Sequence, residues 1–146
     1  MIKEISLTNN VSQVPMLAAW VNAVGEELKL SSAAMFRLNL ALEEAVVNVM
    51  NYAYPGEEGM PVFLRAESTL SEGGEERVVF TLTDEGVPFD PTKEAMPDVT
   101  LSAEERQIGG LGIFLVEQLM ETVVYRRSEK RNVLTMTYLV NRDEQE

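Results

Sequence analysis

Glu44 and Asn48 stand four residues apart in the run E-A-V-V-N. Their surroundings, Leu38–Met50, are apolar except at Asn39, Glu43, Glu44 and Asn48. On a helix this spacing puts two side chains on one face, about 5–6 Å apart. A carboxylate there can accept the proton of an attacking hydroxyl. An amide oxygen beside it is a hard ligand suited to Mg²⁺, which keeps several of its waters. Burying a carboxylate is costly unless it is paired or bound to a cation. The plainer alternative is that Glu43 and Glu44 both face solvent on a half-exposed helix. Helical geometry separates the two acids: Glu44 groups with Asn48 and, a turn further on, with Asn51, while Glu43 points about 100° away and groups with Asn39.

Two further motifs could complete a nucleotide site. Asp84-Glu85-Gly86 ends a strand-like stretch. A carboxylate placed there can accept a hydrogen bond from an exocyclic amine such as that of adenine, and Gly86 allows a backbone turn that L-residues resist. D-x-G also marks many ordinary strand ends. Gly109-Gly110-Leu111-Gly112 opens an apolar helix. Glycines there let the backbone approach an anion, which the free N–H groups and the helix dipole stabilise. A flexible loop-to-helix junction would read the same way. Arg106, just before the glycines, can reach a phosphate or pair on the surface with Glu104 and Glu105.

The elements that must hold these residues follow from periodicity. Residues 2–7 suit an edge strand. Asn10 or Ser12 caps a first helix to about Lys29, with Pro15 in its first turn and Leu17, Trp20, Val24 and Leu28 facing inward. Ser31 or Ser32 starts a second helix that stops at Pro55-Gly56, with Met35, Leu38, Leu42, Ala45, Val49 and Ala53 as its core stripe. Val62–Leu70 and Arg77–Thr83 form one hairpin, and Thr122–Ser128 and Val133–Val140 a second around Glu129–Asn132. Between the hairpins lie a proline-punctuated loop, 85–108, and a helix from Leu111 to about Glu121. A loop of that length inside a domain is usually functional. The order β-α-α-β-β-loop-α-β-β predicts an α+β fold in which helices cover one face of a mixed, mainly antiparallel sheet. The other face is left to solvent or a partner.

Composition narrows the function. The 146 residues suit one domain, 1–146. With no cysteine and no histidine, disulfides, thiolate metal sites, imidazole bases and phosphohistidine are excluded. A net charge of −12 disfavours a nucleic-acid partner. The basic pairs Arg126-Arg127 and Lys130-Arg131 read as a solvated hairpin end. No apolar run is long enough to span a membrane, and the first residues carry no signal-peptide core, so a cytoplasmic location is expected. The eight methionines and Trp20 read as packing residues.

In their order and separations, E44-AVV-N48, D84-EGVPFDP and G109-GLGIFLVEQLM resemble the ATP-binding superfamily that includes DNA gyrase B, the MutL proteins and the catalytic domains of sensor histidine kinases. The likeness is greatest to its short bacterial branch, the serine protein kinases that double as anti-sigma factors, and it spans about residues 10–140. The resemblance implies a Bergerat-type two-layer sandwich that binds ATP with Mg²⁺ under a lid. It implies Glu44 as catalytic base, Asn48 as magnesium ligand, Asp84 as the adenine-recognising aspartate, and Gly86, Gly110 and Gly112 as nucleotide-contacting glycines. Arg131-Asn132 replaces the branch's usual Gly-Thr pair, with Asn132 supporting the adenine pocket through its amide. Pro88 stands where many members have glycine, and Tyr52 where histidine is frequent. The implied partners are a small anti-sigma-antagonist protein as substrate, a sigma factor, and a second copy of the chain meeting the first helix and the sheet face. The alternative is a non-catalytic ATP/ADP-gated switch. A histidine-kinase fragment would lack its own phosphoacceptor.

Overall fold

The computed structural model describes residues 1–93 and 113–140. Strand β1 (Ile2–Thr8) leads through a short 3-10 turn (Val11–Gln13) into helix α1 (Val14–Glu27) and helix α2 (Ser32–Tyr52). Strands β2 (Pro61–Leu70) and β3 (Glu76–Asp84) follow, then a 3-10 turn (Pro91–Lys93), helix α3 (Phe114–Leu119), and strands β4 (Thr122–Ser128) and β5 (Arg131–Leu139). The sheet order is β1-β2-β3-β5-β4. The expected antiparallel character holds, and all four described pairings are antiparallel. No helix among the described residues is long and apolar enough to cross a membrane.

Side-chain alternation divides the sheet into two faces. Val62, Leu64, Ala66, Val78, Phe80, Leu82, Leu134, Met136 and Tyr138 are buried with the helices in one core. Phe63, Arg65, Val79, Thr81, Val124 and Thr135 alternate with them and therefore lie on the opposite face. There Phe63 and Val124 remain exposed. Ser31 caps α2 as expected, accepting from Ala34 N at 3.1 Å, whereas Asn10, accepting from Ser12 N at 2.9 Å, caps the 3-10 turn, and α1 itself begins after Gln13 without a side-chain cap. On α1, Leu17, Val24 and Leu28 face inward as expected, and only the Trp20 position differs. Val21 takes the central position, and Trp20 sits at the margin with its ring edge-on to Phe80. On α2, Met35 is only partly buried and Ala34 lies in the core instead.

The second hairpin is tighter than expected. Glu129 and Lys130 both adopt positive φ, 50° and 69°, and close a two-residue turn. Strand β5 therefore begins at Arg131, and Asn132, expected in the turn, lies inside the ladder opposite Asp84.

Candidate functional site

Helix α2 carries the first half of the site. Its inner stripe packs on the sheet; Glu44 reaches the start of α3, and Asn48 follows one helical turn later. Glu44 is half-buried, and Asn48 is only 1% exposed. Glu44 Oε1 accepts the backbone N–H groups of Leu115 at 2.8 Å and Val116 at 3.3 Å, so it caps the start of α3. Burial holds the Glu44 carboxyl above the ordinary value of 4.5. The two N–H groups oppose that rise, and the charge of Glu117 adds to it. Asn48 Oδ1 is a buried oxygen that accepts no hydrogen bond from a described group, although the residue itself is engaged in another interaction. Asn51 does not join this pair. It lines a cavity of about 630 Å³ with Thr8, Asn10, Tyr54, Glu57 and Glu58, and that lining includes neither Glu44 nor Asn48.

Asp84 ends β3 at 1% exposure. Its Oδ1 accepts from Asn132 Nδ2 at 2.8 Å and from the Gly86 N–H at 2.9 Å. Burial raises its carboxyl above the ordinary 3.8. The hydrogen bonds from Asn132 and Gly86 and the charge of Arg127 pull the other way. Both hydrogen bonds fall on Oδ1. Asn132 is also buried, and its amide binds the segment beyond Asp84. Nδ2 donates to Val87 O at 2.7 Å, and Oδ1 accepts from Phe89 N at 3.1 Å.

Gly86 is required for a different reason from the one its sequence context suggested. Its φ is not in the left-handed region, where Gly56, Gly59 and Gly74 lie. The turn instead runs against the end of α2. A Cβ at Gly86 would fall 2.1 Å from Ala53 O, and the next residue, Val87, donates its N–H to that same oxygen at 2.8 Å. Tyr54 braces the same junction. Its buried hydroxyl donates to Pro61 O at 2.6 Å and accepts the Glu85 N–H at 2.6 Å. Tyr52 packs its ring against Phe89 at a centroid distance of 5.7 Å.

Three groups were invisible to sequence reasoning. Tyr125 donates its hydroxyl to Asn132 Oδ1 at 2.6 Å. Arg127, expected in a solvated basic cluster, donates Nη1 to Gly86 O at 2.7 Å. Tyr54 joins Pro61 O to the Glu85 N–H. Each depends on strand register or helix-to-strand docking, which local spacing does not encode. Gly110, Gly112 and Arg106, with most of the 85–108 loop and the start of the helix expected from Leu111, lie outside the described residues.

The residues present fit a magnesium nucleotide. A buried amide oxygen beside a carboxylate suits a hard cation that takes few protein ligands. Among the described residues no cluster of three acidic side chains is arranged to hold a metal by itself. A buried acceptor at a strand end suits an exocyclic amine. Helices on one face of an antiparallel sheet, with these groups on α2, at the start of α3 and at the paired ends of β3 and β5, define a nucleotide-binding ATPase-type domain.

The chain belongs to the histidine kinase-like ATPase domain family, whose model matches residues 7–138. It is similar to the serine/threonine-protein kinase BtrW of Bordetella bronchiseptica, 27% identical over 118 residues, which cover 81% of this chain and 80% of that protein. It is also similar to the serine-protein kinase RsbW of Listeria monocytogenes, 30% identical over 123 residues, covering 82% and 75%. The enzyme class expected from the sequence, a protein serine/threonine kinase, is the class of these relatives. Among solved structures, the RsbU and RsbW domains of Rv1364c from Mycobacterium tuberculosis superpose with a TM-score of 0.63 at 15% identity, over 95% of this chain. That match spans 32% of the other chain and speaks for the fold.

Proposed function

We propose that this chain is a Mg-ATP-dependent protein serine/threonine kinase that acts as an anti-sigma factor and phosphorylates a small anti-sigma-antagonist protein. The observation that carries the reading is the buried Asn48 oxygen one helical turn beyond Glu44, whose carboxylate meets the start of α3. Asp84 binds the adenine amine, and Asn132 supports it. Asn48 holds the magnesium ion through Oδ1. Glu44 accepts the proton of the serine hydroxyl and orients its oxygen. Magnesium, when bound, neutralises charge that develops on the phosphate oxygens. Gly110 and Gly112 are proposed to contact the phosphates, and the 85–108 segment to cover them. Exposed apolar groups at Val11, Met16, Phe63 and Val124 support a homodimer through the α1 end and the open sheet face. Sigma-factor binding rests on the resemblance to the short bacterial kinases.

One observation favours the non-catalytic switch as a second reading: Glu44 Oε1 is already taken up by Leu115 and Val116. Incubation with γ-labelled ATP and candidate antagonist proteins separates the two. Label on a serine of the antagonist supports the kinase. A nucleotide-dependent complex that never acquires label supports the switch.

A further inference from the structure

We propose that Tyr125 and Arg127 of β4 are positioning residues for base selectivity, acting through Asn132 and Gly86 to fix the Asp84 carboxylate. The inference rests on the reading of Asp84 as the adenine acceptor. It adds two residues from a strand that contributes nothing else to the site.

The Asn132 amide uses its full hydrogen-bonding capacity. Nδ2 donates to Asp84 Oδ1 and Val87 O, and Oδ1 accepts from Phe89 N and the Tyr125 hydroxyl. Turning the amide over would set its oxygen against a carboxylate and a carbonyl, so the network admits one orientation. Tyr125 completes the acceptor side at 2.6 Å, the shortest bond of the four. Arg127 works on the second donor to Asp84. By holding Gly86 O at 2.7 Å, it fixes the turn whose N–H reaches Asp84 Oδ1.

The consequence is chemical selectivity. With Oδ1 held by two donors, Oδ2 is presented in a set direction as a pure acceptor. An acceptor at that point welcomes a 6-amino purine. It rejects a 6-oxo purine, whose oxygen would face it unpaired. A looser carboxylate could rotate or admit a bridging water, and the rejection would weaken. Neither β4 side chain touches the base in this arrangement; both act at one remove.

The test is calorimetric titration of the full chain with Mg-ADP and with Mg-GDP, for the wild type, Tyr125→Phe and Arg127→Ala, with thermal melting to establish folding. The wild type is expected to prefer ADP. Tyr125→Phe is expected to narrow the ADP-over-GDP ratio by about three- to tenfold, the effect of one net hydrogen bond. Arg127→Ala is expected to narrow it in the same direction. A purely structural role would weaken both nucleotides in step, so folded variants that keep the wild-type ratio overturn the proposal. If Arg127→Ala does not fold, the ring-preserving Tyr125→Phe decides. A wild type that binds neither nucleotide removes the reading of the site itself, and this proposal with it. Unchanged selectivity in the variants removes the β4 clamp alone.

Discussion

Glu44 Oε1 lies 2.8 Å from the backbone nitrogen of Leu115, so the carboxylate assigned to proton transfer is also the cap of α3. The two roles belong to one carboxylate and can be separated by one substitution. Glutamine keeps a carbonyl oxygen that can accept the Leu115 N–H but cannot take up a proton. Glu44→Gln should therefore lower phosphotransfer to the antagonist by about 100-fold or more, the usual contribution of a general base. ATP affinity should stay within a few-fold of wild type. Normal transfer by the variant in a γ-label assay would show that Glu44 is not the base.

The same residue gives a pH signature. Burial raises its folded-state carboxyl above 4.5. The folded chain therefore holds this proton more tightly than the unfolded chain. The stabilisation is fully present below the unfolded value and is lost as pH rises through the folded one. Glutamine stands in for the protonated form at every pH. Melting curves should thus show Glu44→Gln more stable than wild type at pH 8, with the gap closing toward pH 4. The acid limb of the transfer rate should lie above 4.5, because transfer needs the ionised form. A melting difference independent of pH would contradict the assignment of burial as the dominant cause.

Asn48 offers a test tied to the metal. If its oxygen ligates magnesium, the gain in nucleotide affinity on adding Mg²⁺ should shrink by about tenfold or more in Asn48→Ala. Affinity measured in EDTA should change little. Equal losses with and without the metal would mark Asn48 as a packing residue of α2.

Much of this was legible in the chain because helix faces and strand alternation are local. The side chains of Asn10 and Ser31 cap where their types and positions allowed, ahead of the 3-10 turn and of α2. The misses concern distance along an element and registry between elements. Asn51 lies within about 20° of Glu44 around the helix but about 10 Å further along its axis, and there it lines the cavity beside the Thr8–Val11 segment. Asn132 looked like turn sequence because no glycine marks the Glu129–Lys130 corner, where two charged residues take up positive φ instead. Arg127 is exposed as expected, but its contact with Gly86 O, 41 residues away in sequence, has no local signal.

Tyr54 tests how far the base end of the site depends on the helix that carries Glu44. Its hydroxyl joins Pro61 O to the Glu85 N–H, one residue beyond Asp84. Tyr54→Phe leaves both backbone groups without that partner in a buried junction, at a cost of about 1–3 kcal/mol in urea unfolding. Nucleotide affinity should fall only modestly, because Asn132 and the Gly86 N–H still hold Asp84.

Gly86 gives the strongest structural expectation. A methyl group there meets the Ala53 carbonyl oxygen at 2.1 Å and its carbon at 2.7 Å, and neither is a flexible side-chain end that could move aside. The turn must withdraw from α2, breaking the Val87 N–H bond to the same oxygen and drawing Asp84 out of line with Asn132. Gly86→Ala should therefore cost about 3 kcal/mol or more in urea unfolding, at the upper end for overpacking. It should also weaken ADP binding in whatever fraction still folds. Because φ at Gly86 is not left-handed, the penalty comes from contact and not from backbone strain. Shortening the neighbour, as in Ala53→Gly, clears only the Cβ contact at 2.8 Å and should recover little of the loss. A full recovery by that second substitution would show that the side chain, and not the α2 carbonyl, sets the limit.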